Sequence, residues 1–358
     1  MKTRVTKKLV FCGLAVALTL ALASAAAAQP GEFVKGVLQP LADGFPKRNI
    51  NIVVVDDPGT PNDLYAKSLQ AALKDISPVK ILISNEPSAV GGTFFTIQDV
   101  ARREGGADGY YPIVYSSFGN TTDLLVDPGT REIGAKLEQV SMVISTDILP
   151  YIMIQRKNAP WGPTFAGMVK YGKENPGKLR YVSYEVGSAN DITCEYTLHT
   201  LGLKVKKYPQ GTRQECASTV GAGEGDFTMV GLSEAIPNSQ AGRVDVTLVM
   251  GETVPDIWKN NPNVVTAKQA GLNPAIQGSL YGLAVPWLVP KEHVDWLFKL
   301  FKAASESPIH RKRATVLPGL LFRTVDPATA NAENKKILED CEPIIRAIGL
   351  HIDDIKKK

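Results

Sequence analysis

Two short, nearly uninterrupted apolar runs, Ile52–Val55 and Val79–Ile83, each end in a loop of Pro, Gly, Asn and small residues. Each loop then feeds a helical pattern. Runs this rich in β-branched residues read as strands covered on both faces. The first predicted strand is Ile50–Asp56. Leu64, Leu69, Ala72, Leu73 and Ile76 then carry helical spacing over about 61–76. Val79–Ser84 is the second strand, and Phe94, Ile97, Val100 and Ala101 place a helix over about 93–104. Tyr111–Ser117 is the third strand. Strand–helix alternation at this spacing predicts a parallel sheet with right-handed crossovers.

The rhythm then breaks. Val140–Ser145 and Tyr151–Gln155 are apolar runs with no helix between them, only Thr146–Pro150. This reads as a crossover into a second domain. There, a helix over Phe165–Tyr171, a strand over Leu179–Tyr184 and a helix over Ile192–Leu201, ended by Gly202, restore the alternation. A strand over Lys204–Tyr208, a helix over Thr212–Val220, and strands over Phe227–Val230 and Val244–Val249 with a helix between them complete it. Tyr281–Pro286 resumes an apolar run. In Lys291–Ser305, Val294, Leu297, Phe298, Phe301 and Ala304 share one helical face, and a last helix over about 327–348 contains Pro343 as a point of bending. The expectation is α/β: two doubly wound domains joined by a two-crossover hinge. Residues 29–147 with 271–358 form one domain and residues 148–270 the other.

Charge changes this picture little, except at the N-terminus. The net charge of +4 is matched by Lys2, Arg4, Lys7 and Lys8, so the rest of the chain is near neutral. That argues against nucleic acid, which needs a basic stripe, and against adhesion to anionic membranes. The four cations precede an apolar run, Leu9–Ala23, and a small-residue stretch, Ser24–Ala28. This is the layout of a cleaved secretion signal over residues 1–28, and the run is short for a membrane span. Export to the periplasm follows, and a monomer is expected. Cys194, Cys216 and Cys341 remain after cleavage; Cys194 and Cys216 are the nearest pair, and the pattern leaves open whether they form a disulfide or stay buried thiols. No Cys-x-x-Cys occurs and the histidines are scattered, so no metal or cofactor is expected.

Candidate chemistry lies where strands hand over to helices. Thr60-Pro61-Asn62-Asp63, Ser188-Ala189-Asn190-Asp191 and Thr212-Arg213-Gln214-Glu215 are capping-box patterns. The fourth start, Ala89-Val90-Gly91-Gly92-Thr93, replaces the acid with two glycines, which let a ligand approach backbone N–H groups. A helix N-terminus carries about half a positive charge, worth ~0.3–1 kcal/mol to an exposed anion and up to ~2 when partly buried. Capping boxes begin many helices that bind nothing, and an acid at the third position uses part of that charge. Position favours function here, because ligands of parallel sheets bind at the strands' carboxyl ends. Ser116 and Ser117 would add hydroxyls at the same rim, and Gln210-Gly211 precede the Thr212 start. Arg213 reads as solvated rather than ligating. Trp161, Trp258, Trp287 and Trp296 read as core. No Gly-x-Ser-x-Gly elbow, Walker loop or dinucleotide fingerprint appears, which argues against an enzyme. Gly221-Ala222-Gly223-Glu224-Gly225 precedes a strand, the wrong context for a phosphate cradle.

Several blocks, in order, give the chain a resemblance to the extracytoplasmic solute-binding proteins of tripartite tricarboxylate transporters, the Bug-type receptors. These are Ile52–Val55 leading to Pro58-Gly59-Thr60-Pro61-Asn62-Asp63, then Val79–Asn85 with Ala89-Val90-Gly91-Gly92, then Val100-Ala101-Arg102 with Asp108-Gly109-Tyr110. Asn175-Pro176-Gly177-Lys178-Leu179 with Gly187-Ser188 follows, and Glu224-Gly225-Asp226-Phe227 matches loosely. The resemblance implies a type II periplasmic-binding-protein-like fold that closes on a small carboxylate, held by backbone amides and waters of the first domain, and delivery to membrane permease subunits. Carried over residue by residue, it implicates Gly59–Asp63, Ala89–Thr93, Ser116, Ser117, Gly187–Asn190, Gln210–Thr212 and Asp226. Three positions depart from the family's pattern. Thr60-Pro61 stands for a flexible Gly-Gly, Gln210-Gly211 for Lys-Gly, and Asn190-Asp191 for His-Leu. Competing readings are a sensor of the same fold, a secreted hydrolase using Asp56 or Asp57, and an adhesive exported protein.

Overall fold

A computed structural model describes residues 29–88, 92–273, 276 and 278–355. The signal expected over residues 1–28 lies outside them. A small hairpin of β1 (Phe33–Val34) and β2 (Val37–Leu38) leads in. β3 (Ile50–Val54), α1 (Pro61–Leu73), β4 (Ile81–Asn85), α2 (Gly92–Arg102) and β5 (Ile113–Ser116) then alternate as expected, with β3 parallel to both β4 and β5. Next come α3 (Ser117–Val126) and α4 (Pro128–Glu132). Sequence pattern alone misses α3. Its buried residues are Ser117, Phe118, Thr121, Thr122 and Leu125, at helical spacing, but three of the five carry hydroxyls and so blur the apolar period.

β6 (Val140–Pro150) is one strand through Thr146–Pro150, which the sequence pattern reads as a connector. β7 (Ile152–Arg156) starts two residues later in another sheet. The second sheet is built from α5 (Phe165–Glu174), β8 (Leu179–Tyr184), α6 (Ala189–Leu201), β9 (Val205–Gln210), α7 (Arg213–Gly221), β10 (Phe227–Val230), α8 (Leu232–Gln240), β11 (Val244–Val249) and β12 (Val265–Thr266). The chain returns through β13 (Gly278–Pro286), α9 (Lys291–Ser305), α10 (Pro308–Arg311), α11 (Arg313–Val316) and β14 (Leu321–Val325). It ends in α12 (Pro327–Ala347), which runs on through Pro343, and α13 (Ile352–Ile355). The sheets have the orders β14-β6-β13-β5-β3-β4 and β12-β11-β7-β10-β8-β9.

Each sheet is covered on both faces, which is why its strands read as continuous apolar runs. In β3, Ile52 and Val54 join the core under α1 and α9, while Val53 joins the core under α2. In β8, Tyr181 and Val182 divide in the same way between two further cores. α12 belongs to neither sheet alone. Ala330 lies in the core beneath α2, whereas Ile337, Cys341 and Ile345 lie in the core that joins α3 to α6. Sequence pattern assigns this tail to the first domain.

Register places the ends of the strands. Tyr281 of β13 pairs with Ser116 and with Asp147, and Gly278 pairs with Pro150. The outgoing and returning strands therefore cross at the carboxyl ends of β3, β4 and β5. Ile152 pairs with Val230, so the chain enters the second sheet at the carboxyl ends of β8, β9 and β10. Both sheets turn their carboxyl edges toward the crossovers, and the space between those edges is the cleft.

Candidate functional site

The cleft is lined by loops built on one plan. At the start of α1, Thr60 accepts from the Asp63 amide at 3.5 Å, and Gly59 N–H donates to Asp63 Oδ2 at 2.7 Å. At the start of α6, Ser188 accepts from the Asp191 amide at 3.4 Å, and Gly187 N–H donates to Asp191 Oδ2 at 3.1 Å. Both glycines have positive φ, +91° and +84°, so the turn itself calls for glycine. Both aspartates are fully buried and each meets a lysine, Lys67 at 2.6 Å and Lys207 at 2.7 Å. α7 repeats the cap with Thr212 and Glu215, and α8 with Gly231 N–H donating to Glu234 at 3.0 Å.

This plan corrects one expectation about the first loop. The Asp63 carboxylate faces inward and is taken up by Gly59, Lys67 and Asn85. Although Asp63 is buried, those partners hold its carboxyl below the usual range. Thr60 N–H is spent on the Asp57 carbonyl at 3.4 Å, and Pro61 has no N–H. Asn62 donates to Asp56 at 3.2 Å. Most donors of the Gly59–Asp63 loop are therefore committed within it. Asp226 is also corrected. It precedes β10 at the edge opposite the cleft, and Arg156 and Arg180 bind it at 2.8 and 2.9 Å. Those guanidiniums hold its carboxyl low despite burial, and its role is to tie β7, β8 and β10 together.

Two helices reach the cleft without an acid in the first turn, α2 and α3. α2 opens at Gly92, φ +46°, followed by buried Thr93. Ala89, Val90 and Gly91 lie outside the described residues. α3 opens after Ser116, whose side chain makes no cap bond. Asn120 Oδ1 instead accepts from the Ser116 amide at 2.8 Å. A methyl placed on Gly119 would stand 3.8 Å from Ser116 Oγ and 3.9 Å from Ala189 Cβ. The N-termini of α3 and α6 therefore face each other across the cleft. Ser117 Oγ, and on the α6 side Asn190 Oδ1, are buried with no partner among the described residues. Gln210, Gly211 and Thr212 lie on the far rim, where Gly211 and Thr212 are exposed.

The floor comes from the crossovers and was not legible in the motifs. Tyr151, between β6 and β7, shares a hydroxyl contact with Ser279 of β13 at 3.3 Å. Tyr281 is two residues along the same strand. Burial raises both phenols, and Arg213 is near enough to both to pull against that rise. Asp56 acts on Tyr281, and Asp123 and Glu234 act on Tyr151. Burial, opposed by Asn120 and helped by Asp127, pushes the Asp123 carboxyl up to about 7. Arg213 itself stacks on Tyr184, with its guanidinium carbon 5.1 Å from the ring centroid. The signal for this floor was positional: Tyr151 and Tyr281 stand at the two points where the chain changes sheet.

A second groove of about 570 Å³ lies on the other face of the crossover strands, lined by Phe118, Ile148, Leu280, Phe322, Arg323 and Glu333. Its Arg323 is paired with Glu333, so it offers less to an anion than the cleft does. Cys194 and Cys216 are free thiols on opposite faces of the second sheet. Among the described residues no cluster of His, Cys, Asp or Glu is placed to hold a metal ion, and no helix is long and apolar enough to cross a membrane.

Two doubly wound lobes with their carboxyl edges facing across a pair of crossovers define a fold of the periplasmic-binding-protein type. Residues 65–348 match the tripartite tricarboxylate transporter family receptor, TctC, and the chain belongs to that family. A curated relative, a UPF0065 protein of Bordetella pertussis, is 26% identical over 202 residues, spanning 56% of this chain and 60% of that protein's length. A TctC solute-binding protein from Polaromonas has the same fold, with a TM-score of 0.72, 19% identity, and coverage of 85% of this chain and 99% of that one. MatC from Rhodopseudomonas palustris, solved with bound malate, gives a TM-score of 0.61 and 22% identity, covering 84% of this chain and all of the other (100%). The family and its solved members are receptors rather than enzymes.

Proposed function

We propose that the protein is an exported receptor that captures a small carboxylate in the cleft, closes on it, and passes it to a tripartite tricarboxylate-type permease in the membrane. The observation that carries this reading is the contrast among the helix ends. α1, α6, α7 and α8 each carry an acid in the first turn, whereas α2 and α3 have none. An anion therefore gains most at Gly92–Thr93 and Ser116–Gly119, where the N-terminal charge is uncompensated. The loops at Gly59–Asn62 and Gly187–Asn190 shape the walls, and Tyr151, Ser279 and Tyr281 provide hydroxyls beneath. The malate bound to MatC supports the ligand class. Closure is a hinge at the crossovers, which ligand favours only through contacts made better in the closed state.

A thermal-shift panel of mono-, di- and tricarboxylates tests this. A ligand present at ~100 times its dissociation constant adds about 2.7 kcal/mol of stability. No shift with any carboxylate would overturn the reading.

A further inference from the structure

We infer that Arg213 sets the ligand specificity of the cleft by receiving a second negative charge on the bound carboxylate. This rests on the carboxylate reading above. Arg213 is the first residue of α7, exposed at the edge of the second sheet that faces the cleft. No carboxylate among the described residues lies within ion-pairing distance of its guanidinium. Its fixed contact is the face of Tyr184, the last residue of β8, at 5.1 Å. Stacking of this kind holds a guanidinium plane while leaving its N–H edge free, and that edge suits a carboxylate in bidentate fashion.

The charge of the same group also acts on the floor of the cleft. It lies close enough to both Tyr151 and Tyr281 to act on their hydroxyls, although Tyr281 belongs to the first sheet. The acids around that floor do not compete for it. Asp56 is taken up by Asn62 and by the Asp57 amide, and Glu234 by Gly231 and Ser233. Asp123 is turned toward Asn120, and burial pushes its carboxyl up to about 7, so its negative charge is only partly developed near neutral pH. A ligand with one carboxylate at the α3 N-terminus and another toward α7 would therefore meet a positive group at each end, one on each domain. That is a differential contact of the closed state, and it fits a small dicarboxylate.

The test is isothermal titration of the full chain, without its signal, against pairs of matched chain length: succinate with butyrate, glutarate with pentanoate, adipate with hexanoate. The expected result is at least one pair in which the dicarboxylate binds tenfold or more tightly than its partner. Arg213→Gln should bring that ratio close to one while leaving the monocarboxylate unchanged, and Arg213→Lys should restore part of it. A wild-type ratio near one, or an Arg213→Gln variant that keeps the wild-type ratio or weakens both ligands equally, overturns this inference and leaves the carboxylate reading standing. Failure of every acid to bind the wild type overturns both. Unchanged thermal unfolding of Arg213→Gln without ligand confirms that the variant is folded.

Discussion

The point where β6 leaves the first sheet is held by a buried ionic cluster, and Asp147→Asn tests what it contributes. Asp147 is fully buried and paired with Arg313 and with His310 Nε2, the latter at 2.9 Å. His310 Nδ1 faces Ser68 Oγ of α1 at 2.9 Å, and Tyr65 of α1 bonds Thr146, next to Asp147, at 2.8 Å. Burial lowers Arg313 to about 10, so it stays charged at neutral pH. The substitution leaves that cation buried without its anion. Breaking one side of such a pair costs ~3–5 kcal/mol, a large share of a typical ~5–15 kcal/mol stability. Replacing both charges should cost much less, so Arg313→Met added to Asp147→Asn should recover at least ~2 kcal/mol. Urea denaturation followed by circular dichroism gives the free energies, and hydrogen exchange at α1 and β6 shows where stability is lost. A loss below ~1 kcal/mol, or a double variant as unstable as the sum of the singles, would refute the reasoning. The cluster also predicts a pH dependence. Burial, with Arg311 nearby, pushes His310 down to about 4. A depressed histidine contributes stability above its unfolded value near 6.5 that is lost as pH falls toward 4, here up to ~3 kcal/mol. His310→Gln should lack that component.

Three further outcomes follow from the site and its surroundings. Asp123 carries the opposite sign: its folded value of about 7 lies above the ordinary 3.8, so stability is full at low pH and lost as pH rises through 7. A rise of this size would be ~4 kcal/mol, and halving it for the partial exposure of Asp123 predicts that Asp123→Asn gains ~2 kcal/mol over wild type at about pH 8 and nothing at about pH 4; a gain that does not vary with pH would count against it. Gly119→Ala should bind ligand as wild type does, because its methyl meets only ordinary contacts, whereas Gly119→Val projects between α3 and α6 and should weaken affinity tenfold or more by titration calorimetry. Ellman titration of the chain without residues 1–28 should find no rapidly reacting thiol in the native state and three in denaturant, since Cys194, Cys216 and Cys341 are all free and buried; two missing thiols would mean a disulfide.

The sheets were legible because their strands are buried on both faces. Ile50–Val54, Leu179–Tyr184, Phe227–Val230 and Val244–Val249 announce themselves as β-branched and aromatic runs. α3 was not, because three of its five buried residues are serine or threonine. That omission mattered, since α3 carries one of the two acid-free helix ends at the cleft. The capping acids were legible as motifs but not as roles. A box written Thr-x-x-Asp does not say whether its carboxylate will face a ligand or fold back on a glycine amide, and Asp63 and Asp191 both fold back. Asp226 could not be placed at the far edge of β10 without knowing that Arg156 and Arg180 converge there from two other strands. The floor of Tyr151, Ser279 and Tyr281 needs the pairing of two segments about 130 residues apart in sequence, which local pattern does not carry.

The two lobes use one loop design but differ in what they leave unspent, and that difference bears on how the cleft works. Gly59–Asp63 and Gly187–Asp191 are each closed by an inward carboxylate and a lysine, which makes them stiff walls whose donors do not await a ligand. The unspent positive ends, α2 and α3, belong to the first lobe, and Arg213 belongs to the second. A monoanion can satisfy the first lobe alone and gives little reason to close, because a ligand shifts a conformational equilibrium only by its difference in affinity for the two states. On the proposed reading, a ligand charged at both ends gains the second contact only when the lobes approach. α12 sets a limit on that movement, because its Ala330 and its Ile337, Cys341 and Ile345 sit in cores on the two sides of the hinge. Closure of the kind proposed would therefore bend the crossovers near Pro150 and Gly278 while α12 slides or rotates against α3 and α6, a shear coupled to a hinge rather than a free swing.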